Sequence, residues 1–390
     1  MSSSKDFKQI INILLLVIPG PIEVADDVLY ANAHPSMSHV SAEFIPVFGD
    51  CIRYIRKVLF TETAQPFLIA GSGTLGWDQV GANLVVGYDA LTDRLLEPGE
   101  KALVLHSGYF GDSFADALNT YGAEVDQIKA PLGMAVLEAE LENSLMAKKY
   151  KIVTFTHVDT STGVLSNAKR IAETVRRISP ETLVVLDGVC SVASEEIRFD
   201  DWDIDIVMTA TQKGLGTPPG LSIVVASKRA LDVFLNRQST PGSYYASWKK
   251  WLHIMQAYEQ GKAAYFATPP VNLIYAFRES LNRIVNGSPS LEERFRLHRE
   301  ASKKVPLDDN FAANGMTAVY YPENLAAGDL LPRLASRNVV VAGGLHTEIK
   351  DKYFRIGHMG ITVVDSHRGD LDTLIKALKE SITEAQASKA

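Results

Sequence analysis

Short apolar runs alternate with helix-like segments between residues 67 and 226, and this alternation constrains the fold more than any other feature of the sequence. Each run is apolar at successive positions, as expected of a strand that is buried on both faces of a parallel sheet. The predicted strands are Phe67–Ala70, Ala102–Leu105, Ile152–Phe155, Leu183–Leu186, Ile206–Met208 and Leu221–Val225. Strands that alternate with helices are typical of an α/β sheet with right-handed crossover connections.

Two of the connecting segments carry helical signals. Apolar residues between positions 114 and 121 recur at helical spacing, and Gly122 follows where a C-terminal cap is expected. Apolar residues between positions 171 and 178 fall on one helical face, and Pro180 ends that helix. These segments therefore predict helices that cross between neighbouring strands of the sheet.

The pattern changes after Pro270, where a smaller α+β domain is predicted. The predicted elements from this point are a long helical stretch from Val271 to about Arg299, a strand at Ala318–Tyr321, a helix near Leu330, a strand at Val339–Val341 and a final helix from Leu371 to about Glu384. We place the domain boundary within or after the long helix. We predict an N-terminal segment (1–20), a large domain (21–280) and a small C-terminal domain (281–390). The sequence does not indicate which domain the N-terminal segment packs against.

Charge and composition exclude several classes of protein. The chain has 390 residues with 39 Lys and Arg against 46 Asp and Glu, a formal charge of −7, so we expect no nucleic-acid partner. The longest apolar run, Ile10 to Ile18, is too short to span a bilayer, so no membrane association is expected. The two cysteines, Cys51 and Cys190, form no disulfide framework and no zinc motif, and no metal site is predicted.

A glycine-rich turn follows the first predicted strand. The sequence Gly71-Ser-Gly-Thr-Leu-Gly76 fits G-x-G-x-x-G, and Asp89 lies 18 residues after Gly71, as in dinucleotide-binding proteins. More generally, a turn of small residues before a helix exposes backbone N–H groups to an anion. The turn therefore predicts a phosphate site, with a dinucleotide, another phosphate ester or no ligand as the alternatives.

An acidic and a basic residue lie at the ends of two later strands. Asp187 follows the Leu183–Leu186 strand, and Lys213 follows Ile206–Met208 among small residues. Ligands of open α/β sheets bind at the carboxyl ends of strands. Pyridoxal phosphate requires a lysine for a Schiff base and an acid that keeps its ring nitrogen protonated. Together with a phosphate turn upstream, this pair predicts a pyridoxal-phosphate site.

Over most of its length, the sequence resembles the class V aminotransferases of fold type I, and among them the fungal alanine–glyoxylate branch. The segments that carry the resemblance are Pro19-Gly-Pro21, Gly71-Ser-Gly-Thr74, His157-Val-Asp-Thr-Ser-Thr-Gly163, Asp187-Gly-Val-Cys-Ser191, Gln212-Lys213, Tyr265-Phe-Ala-Thr268 and Arg355-Ile-Gly357. The resemblance covers roughly Leu15 to Leu378. It implies a large domain with a mostly parallel seven-stranded sheet flanked by helices, a smaller α+β C-terminal domain and pyridoxal 5′-phosphate as cofactor.

The resemblance also implies which residues bind the cofactor. Ser72, Gly73 and Thr74 match the phosphate-binding turn. Phe110 lies where relatives place an aromatic ring that stacks on the cofactor, although many of them have Trp there. Thr160 matches a hydroxyl residue near the ring.

The expected reaction residues come from the same resemblance. Asp187 and Lys213 match the catalytic pair, and Gln212 matches an adjacent polar contact. Arg355 matches the clamp for the substrate carboxylate, and the backbone near Gly20 suits a small carboxylate pocket. The implied reaction is a ping-pong transamination of L-alanine with glyoxylate to pyruvate and glycine.

The expected assembly is a homodimer with shared active sites. Tyr265 and Thr268 match residues that contact the cofactor phosphate of the neighbouring subunit. We expect an intracellular protein, most simply cytoplasmic. A peroxisomal or mitochondrial location stays open, since Ser388-Lys-Ala390 resembles a peroxisomal tail without its leucine.

Several alternatives remain at this level. A serine–glyoxylate or serine–pyruvate aminotransferase would use the same residues, and a dehydrogenase would use Gly71–Gly76 for a nicotinamide cofactor. A cysteine desulfurase would need a late mobile cysteine, which Cys51 and Cys190 do not provide. We interpret His157 as a structural histidine and Trp77 as a packing residue.

Overall fold

The computed structural model describes residues 14–85, 100–304 and 311–389. Asp89, the acidic residue of the dinucleotide interpretation, lies outside the described residues.

The helices and strands are numbered here along the chain. The strands are β1 (Leu15–Leu16), β2 (Gln65–Ala70), β3 (Lys101–His106), β4 (Glu124–Lys129), β5 (Ile152–Thr156), β6 (Val158–Asp159), β7 (Val164–Leu165), β8 (Leu183–Asp187), β9 (Ile206–Ala210), β10 (Leu221–Ala226), β11 (Met316–Tyr320), β12 (Val339–Val340), β13 (Ala342–Gly343) and β14 (Tyr353–Gly357). The helices are α1 (Asp26–Asn32), α2 (Phe44–Val58), α3 (Leu75–Leu84), α4 (Tyr109–Thr120), α5 (Glu138–Ala147), α6 (Ala168–Ile178), α7 (Lys228–Asn236), α8 (Trp248–Glu259), α9 (Val271–Asn286), α10 (Leu291–Ser302), α11 (Ala327–Ser336), α12 (Ile361–Val364) and α13 (Asp370–Ala387).

A seven-stranded sheet forms the centre of the larger part of the molecule. Its strand order is β2-β10-β9-β8-β5-β3-β4. Strands β4, β3, β5, β8 and β9 pair in parallel, whereas β10 pairs antiparallel with both β9 and β2. The mostly parallel seven-stranded sheet that the sequence predicted is confirmed. Since only β10 is reversed, β2 runs in the same direction as the other five strands.

The strand directions determine where the site forms. Because β2, β3, β5, β8 and β9 are parallel, their carboxyl ends lie at one edge of the sheet. The glycine-rich turn, Phe110, Thr160 and Lys213 each follow one of these strands within five residues, and Asp187 is the last residue of β8. The sheet therefore gathers residues that are far apart in the chain.

A smaller three-stranded sheet, β11-β14-β13, carries Arg355 on its central strand. A second hydrophobic cluster packs against it and contains Leu15 and Val17 from the N-terminal segment. Strand β1 pairs in parallel with β12, so the described part of this segment packs with the C-terminal part of the chain. The domain boundaries predicted after residues 20 and 280 remain predictions.

Two predicted elements differ in the structure. The long helix expected from Val271 to Arg299 is two helices, α9 and α10, since Gly287, Pro289 and the capping residue Ser290 separate them. The Ser290 hydroxyl accepts a hydrogen bond from the Glu293 N–H, as an N-terminal cap does. Strand β4 was not predicted, because its sequence is polar and it lies at the edge of the sheet.

Within the described ranges, none of the helices combines the length and apolar character that a membrane span requires.

Candidate active site

The glycine-rich turn places two hydroxyl residues at the start of helix α3. Ser72 and Thr74 are exposed, and the helix begins at Leu75. Gly73 is buried against the sheet edge, where an added Cβ would lie 2.9 Å from a Val189 methyl group. The turn therefore combines accessible hydroxyls and free N–H groups at the positive end of a helix, which suits a phosphate group.

Asp187 ends strand β8 with a buried carboxylate. Its Oδ1 accepts a hydrogen bond of 3.0 Å from the Val189 N–H, and its Oδ2 accepts one of 2.9 Å from the Trp77 indole Nε1. Burial raises the pKa of Asp187 to about 6, and both hydrogen bonds and the nearby Lys213 ammonium oppose that rise. The carboxylate is thus ionised at neutral pH in spite of its burial.

The hydrogen bond from Trp77 corrects the interpretation of this residue as packing alone. Trp77 does pack, since its ring stacks on Phe114 with centroids 5.6 Å apart. Its indole N–H, however, points at Asp187. The sequence signal was its position three residues after Thr74, which places it in the first turn of the helix that begins at the phosphate turn.

Lys213 lies in the loop after strand β9 and is 8% exposed. Its Nζ donates a hydrogen bond to the backbone carbonyl of Pro19. Burial lowers the pKa of Lys213, the Arg355 guanidinium lowers it further, and Asp187 opposes both effects. A buried amine with a lowered pKa is the form of lysine that serves as a nucleophile and a base.

The Pro19–Gly20 backbone covers the Lys213 side chain. Gly20 has φ +109°, and a Cβ at this position would overlap the Lys213 Cδ and Cε atoms. The Ile22 N–H also donates a hydrogen bond of 3.1 Å to the Gln212 carbonyl. Only glycine allows this close approach of backbone to side chain.

Arg355 extends from the small sheet toward the large one. Its Nε donates to the Gly343 carbonyl (2.8 Å) and its Nη1 to the Thr160 carbonyl (3.1 Å). These bonds orient the guanidinium and leave other N–H groups of its fork available for a carboxylate. Arg355 is close enough to Lys213 to affect the pKa of that amine.

Phe110 is half-buried at the start of helix α4, and two residues that sequence reasoning missed hold this region. Asp159 is fully buried and accepts hydrogen bonds from the Ser161 N–H (2.8 Å) and hydroxyl (2.6 Å). The Ser161 hydroxyl oxygen in turn accepts one from the Tyr109 N–H (3.0 Å). Burial raises the pKa of Asp159, and the hydrogen bonds that it accepts from Ser161 oppose that rise. Asp159 and Ser161 lie in the His157–Gly163 segment that carries the resemblance, in which the resemblance implies a cofactor contact only for Thr160.

The remaining predicted residues differ in their surroundings. The side-chain oxygen of Gln212, beside Lys213, is buried and has no hydrogen-bond partner within the described part of the chain. Tyr265 and Thr268 are exposed, and the Tyr265 ring packs against His39, 5.1 Å away. The structure of the single chain thus leaves their predicted contact with a neighbouring subunit as a prediction.

His157 and Cys190, near the carboxyl ends of the parallel strands, are buried and uncharged. Burial lowers the pKa of His157 to about 3, so its ring is uncharged at neutral pH. Burial raises the pKa of the Cys190 thiol, and nearby Lys213 opposes that rise. Cys190 therefore lacks the thiolate form that a nucleophile requires, and a buried imidazole with a pKa of about 3 is a weak base at neutral pH.

Comparison with known proteins places this arrangement in a family. Residues 25–347 match the family model described as aminotransferase class-V. The chain belongs to the class V aminotransferases.

This class V aminotransferase is 40% identical over 374 residues to alanine–glyoxylate aminotransferase 1 of Saccharomyces cerevisiae, covering 90% of this chain and 93% of the yeast protein. It is 26% identical to a serine–glyoxylate aminotransferase of Arabidopsis thaliana, covering 88% and 85% of the two chains. The crystal structure of an alanine–glyoxylate aminotransferase from Nostoc sp. superposes with a TM-score of 0.84 at 26% identity, covering 98% and 97%. The resemblance to the class V family and the fold-type-I architecture are confirmed.

Proposed function

We propose that this enzyme transfers the amino group of L-alanine to glyoxylate, giving pyruvate and glycine, with pyridoxal 5′-phosphate as its cofactor. The observation that carries the proposal is the convergence of Lys213, Asp187 and Arg355 at one sheet edge. The 40% identity to the yeast alanine–glyoxylate enzyme supports this choice of substrates. Family membership favours an aminotransferase over the dehydrogenase interpretation of Gly71–Gly76.

The residues at this edge fit the cofactor. Exposed Ser72 and Thr74 and the start of helix α3 suit its phosphate. The buried Asp187 carboxylate suits a protonated ring nitrogen, because a buried charge needs a partner of opposite sign. The unpartnered Gln212 side-chain oxygen beside Lys213 is a further polar group available to it. Phe110 and Thr160 are proposed to contact the ring.

When bound, pyridoxal phosphate supplies an electron sink for the charge left by loss of a proton from the substrate carbon. Lys213 would hold the cofactor covalently until the substrate amine takes its place, and the freed Lys213 amine would then be the base that accepts the proton and returns it. Arg355 binds the substrate carboxylate in both half-reactions, since alanine and glyoxylate both carry one. The Asp187 carboxylate would stabilise positive charge at the ring nitrogen.

The Pro19–Gly20 backbone has two roles in this proposal. It limits the space above Lys213, which favours small substrates, and it excludes water from the amine. Because the Lys213 Nζ already donates to the Pro19 carbonyl, this backbone also orients the amine before substrate binds.

The proposal is tested by cofactor chemistry and by substrate preference. We expect the purified enzyme to absorb visible light as a yellow protein, and borohydride reduction followed by peptide mass spectrometry to locate the cofactor on Lys213. Lys228, an exposed lysine on helix α7, is the internal control for non-specific labelling. A colourless protein, or label distributed over surface lysines, would contradict the cofactor assignment.

Substrate preference is measured with a panel of amino donors against glyoxylate and pyruvate. We expect alanine with glyoxylate to give the highest kcat/KM. A higher value for serine would instead establish the serine–glyoxylate alternative, which uses the same residues. No turnover with any donor would refute the transaminase proposal.

A further inference from the structure

Helix α3 connects the two ends of the proposed cofactor site. The helix begins directly after the Ser72–Thr74 turn, and the backbone N–H of Trp77 donates to the Thr74 carbonyl at 3.0 Å. From the same residue the indole Nε1 donates to Asp187 Oδ2 at 2.9 Å. One helical turn therefore links the phosphate turn to the acid that faces the ring nitrogen.

The chemistry of the indole makes this hydrogen bond directional. An indole N–H can only donate a hydrogen bond, so its partner must be a carboxylate oxygen that accepts one. The O–H of a protonated carboxyl group could not take that place. The Val189 N–H occupies Oδ1 in the same way. These two donors define the plane of the Asp187 carboxylate and favour its ionised form in a buried environment.

The helix itself is held close to the sheet at this point. A Cβ at Gly76 would lie 3.1 Å from the Met208 Cβ, so the start of helix α3 packs directly on strand β9. Met208 is paired with Asp187 in the sheet. Movement of the phosphate turn would thus move Trp77 relative to Asp187.

We propose that Trp77 is a positioning residue, which acts through Asp187 and sets the orientation and charge of that carboxylate relative to the phosphate turn. This inference rests on the proposed function, because it assigns Asp187 to the ring nitrogen of the cofactor. In this proposal Trp77 does not contact the substrate.

Trp77→Phe separates this role from packing, since phenylalanine keeps an aromatic ring against Phe114 and lacks the N–H. Trp248→Phe is the matched control. Trp248, on helix α8, is fully buried, and its Nε1 donates to the side chain of Gln79 (3.2 Å). Gln79 lies on helix α3, as Trp77 does, but this hydrogen bond does not involve Asp187. Both variants remove one buried indole hydrogen bond, but only Trp77→Phe removes one to Asp187.

Three measurements distinguish the variants. We expect Trp77→Phe to lower kcat by roughly 10- to 100-fold, the effect of losing a hydrogen bond to a charged group. Binding of pyridoxal phosphate to the apoenzyme, followed by fluorescence titration, should weaken. The acid limb of the plot of kcat against pH should move to higher pH. The hydrogen bond from Trp77 favours the ionised carboxylate, so its loss raises the pKa of Asp187. The other charged groups that act on Asp187, Asp159 and Lys213, are unchanged.

A double-mutant cycle tests whether Trp77 acts through Asp187. In the Asp187→Asn background, Trp77→Phe should have little further effect on kcat or on cofactor affinity. Full additivity of the two losses, or an unchanged acid limb and cofactor affinity in Trp77→Phe, would overturn the inference. Trp77→Leu, which has neither an N–H nor an O–H donor, provides the same test if the phenylalanine variant does not fold.

The outcome for the wild-type protein keeps the two proposals apart. A wild-type chain that does not bind pyridoxal phosphate refutes the proposed function. A wild-type chain that binds it, with a Trp77→Phe variant that behaves like Trp248→Phe, refutes only the role of Trp77.

Discussion

The Arg355 guanidinium is oriented by two backbone carbonyls, those of Gly343 and Thr160. A lysine at this position would keep the positive charge but lose the planar fork that binds a carboxylate through two hydrogen bonds. We therefore expect Arg355→Lys to lower kcat/KM by roughly 10- to 100-fold for alanine and for glyoxylate.

The control for this variant is Arg237→Lys. Arg237 is also half-buried and donates to a backbone carbonyl, that of Ala82 (2.7 Å), but its other hydrogen bonds within the described residues go to Ser239 and none goes to a residue of the candidate site. Steady-state kinetics with both substrates, together with the thermal unfolding temperature, should show a kinetic loss for Arg355→Lys alone. Unchanged kinetics with either substrate would contradict the clamp.

Glu195 is a buried acid that lies outside the reaction machinery. It is 4% exposed and accepts hydrogen bonds from the backbone and side-chain N–H groups of Asn314. Burial raises the pKa of Glu195 from 4.5 to about 7. An acid whose pKa is raised by folding stabilises the fold at low pH, and this contribution is lost as pH rises from 4.5 to 7.

Glu195→Gln should therefore stabilise the protein above pH 7 and have little effect near pH 5. The amide keeps an acceptor for the Asn314 N–H and removes the buried charge, a gain of about 1–3 kcal/mol in the free energy of unfolding at pH 8. Urea unfolding at pH 5 and pH 8 measures this difference. Glu196→Gln, at the half-buried neighbouring residue whose carboxylate pairs with Arg198, should change stability by less than about 0.5 kcal/mol at both pH values. An equal effect of Glu195→Gln at the two pH values would rule out this account.

The residues that sequence reasoning identified and those it missed differ in a physical way. Lys213 and Asp187 could be placed because they occur as a pair at the ends of successive strands, downstream of a turn that suits a phosphate, and the resemblance added Arg355. Trp77 bonds to Asp187, 110 residues away, and Asp159 reaches helix α4 only through Ser161, which bonds to Tyr109, 52 residues away. Such contacts depend on strand order. Since the sequence does not specify which strands are neighbours, these partners could only be found in the folded chain.

At the scale of elements, the N-terminal segment contributes a backbone contact to the site. Gly20 combines φ +109° with a position against Lys213, so Gly20→Ala would both strain the backbone and displace the lysine. Gly369 separates the two effects, since it has φ +64° with no atom within 4 Å of an added Cβ.

Both substitutions should destabilise the fold by about 1–2 kcal/mol through backbone strain. Only Gly20→Ala should also lower kcat, by at least about tenfold, because the Lys213 amine would be misplaced. Thermal unfolding and steady-state kinetics of the two variants measure these effects. Equal kcat values in the two variants would show that the Gly20 contact does not position Lys213.

The elements themselves could be predicted where burial is extreme. The core strands β5, β8 and β9 are buried at every position, and the expected apolar runs lie within them. Strand β4 is polar because it lies at the sheet edge, and β10 has the same apolar pattern as its parallel neighbours although it is reversed. Apolar periodicity reports burial, but it contains no information about strand direction.

At the scale of the whole molecule, two connections join the sheets that carry the site. The N-terminal segment pairs with β12, and the Gly357 N–H of β14 donates to its Val17 carbonyl (2.8 Å). Helix α10 supplies Arg294, which is 7% exposed and donates to the carbonyls of Ala193 (2.8 Å) and Gly214 (2.7 Å). Gly214 follows Lys213, so displacement of either connection would alter the reaction residues.

The chain also presents aromatic side chains that suit a second subunit. Tyr244 and Tyr265 are 74% and 62% exposed, and the Lys250 ammonium lies 5.1 Å from the Tyr244 ring centroid. Large exposed aromatic residues close together are typical of protein interfaces. This surface supports the predicted homodimer, in which Tyr265 and Thr268 would contact the cofactor phosphate bound by the neighbouring subunit.

Subunit complementation tests this shared site. The first variant is Lys213→Ala and the second is the double substitution Tyr265→Ala with Thr268→Ala; each alone should have little activity. In a hybrid dimer, the Lys213 of the second variant and the Tyr265 and Thr268 of the first would form one intact site. Random pairing of co-expressed subunits then restores about a quarter of the wild-type sites. Hybrids isolated with two affinity tags should be active, whereas each parent homodimer should not. Inactive hybrids of confirmed composition would show that each subunit builds its site alone, since only a site formed by both chains can recover from two lesions on different chains.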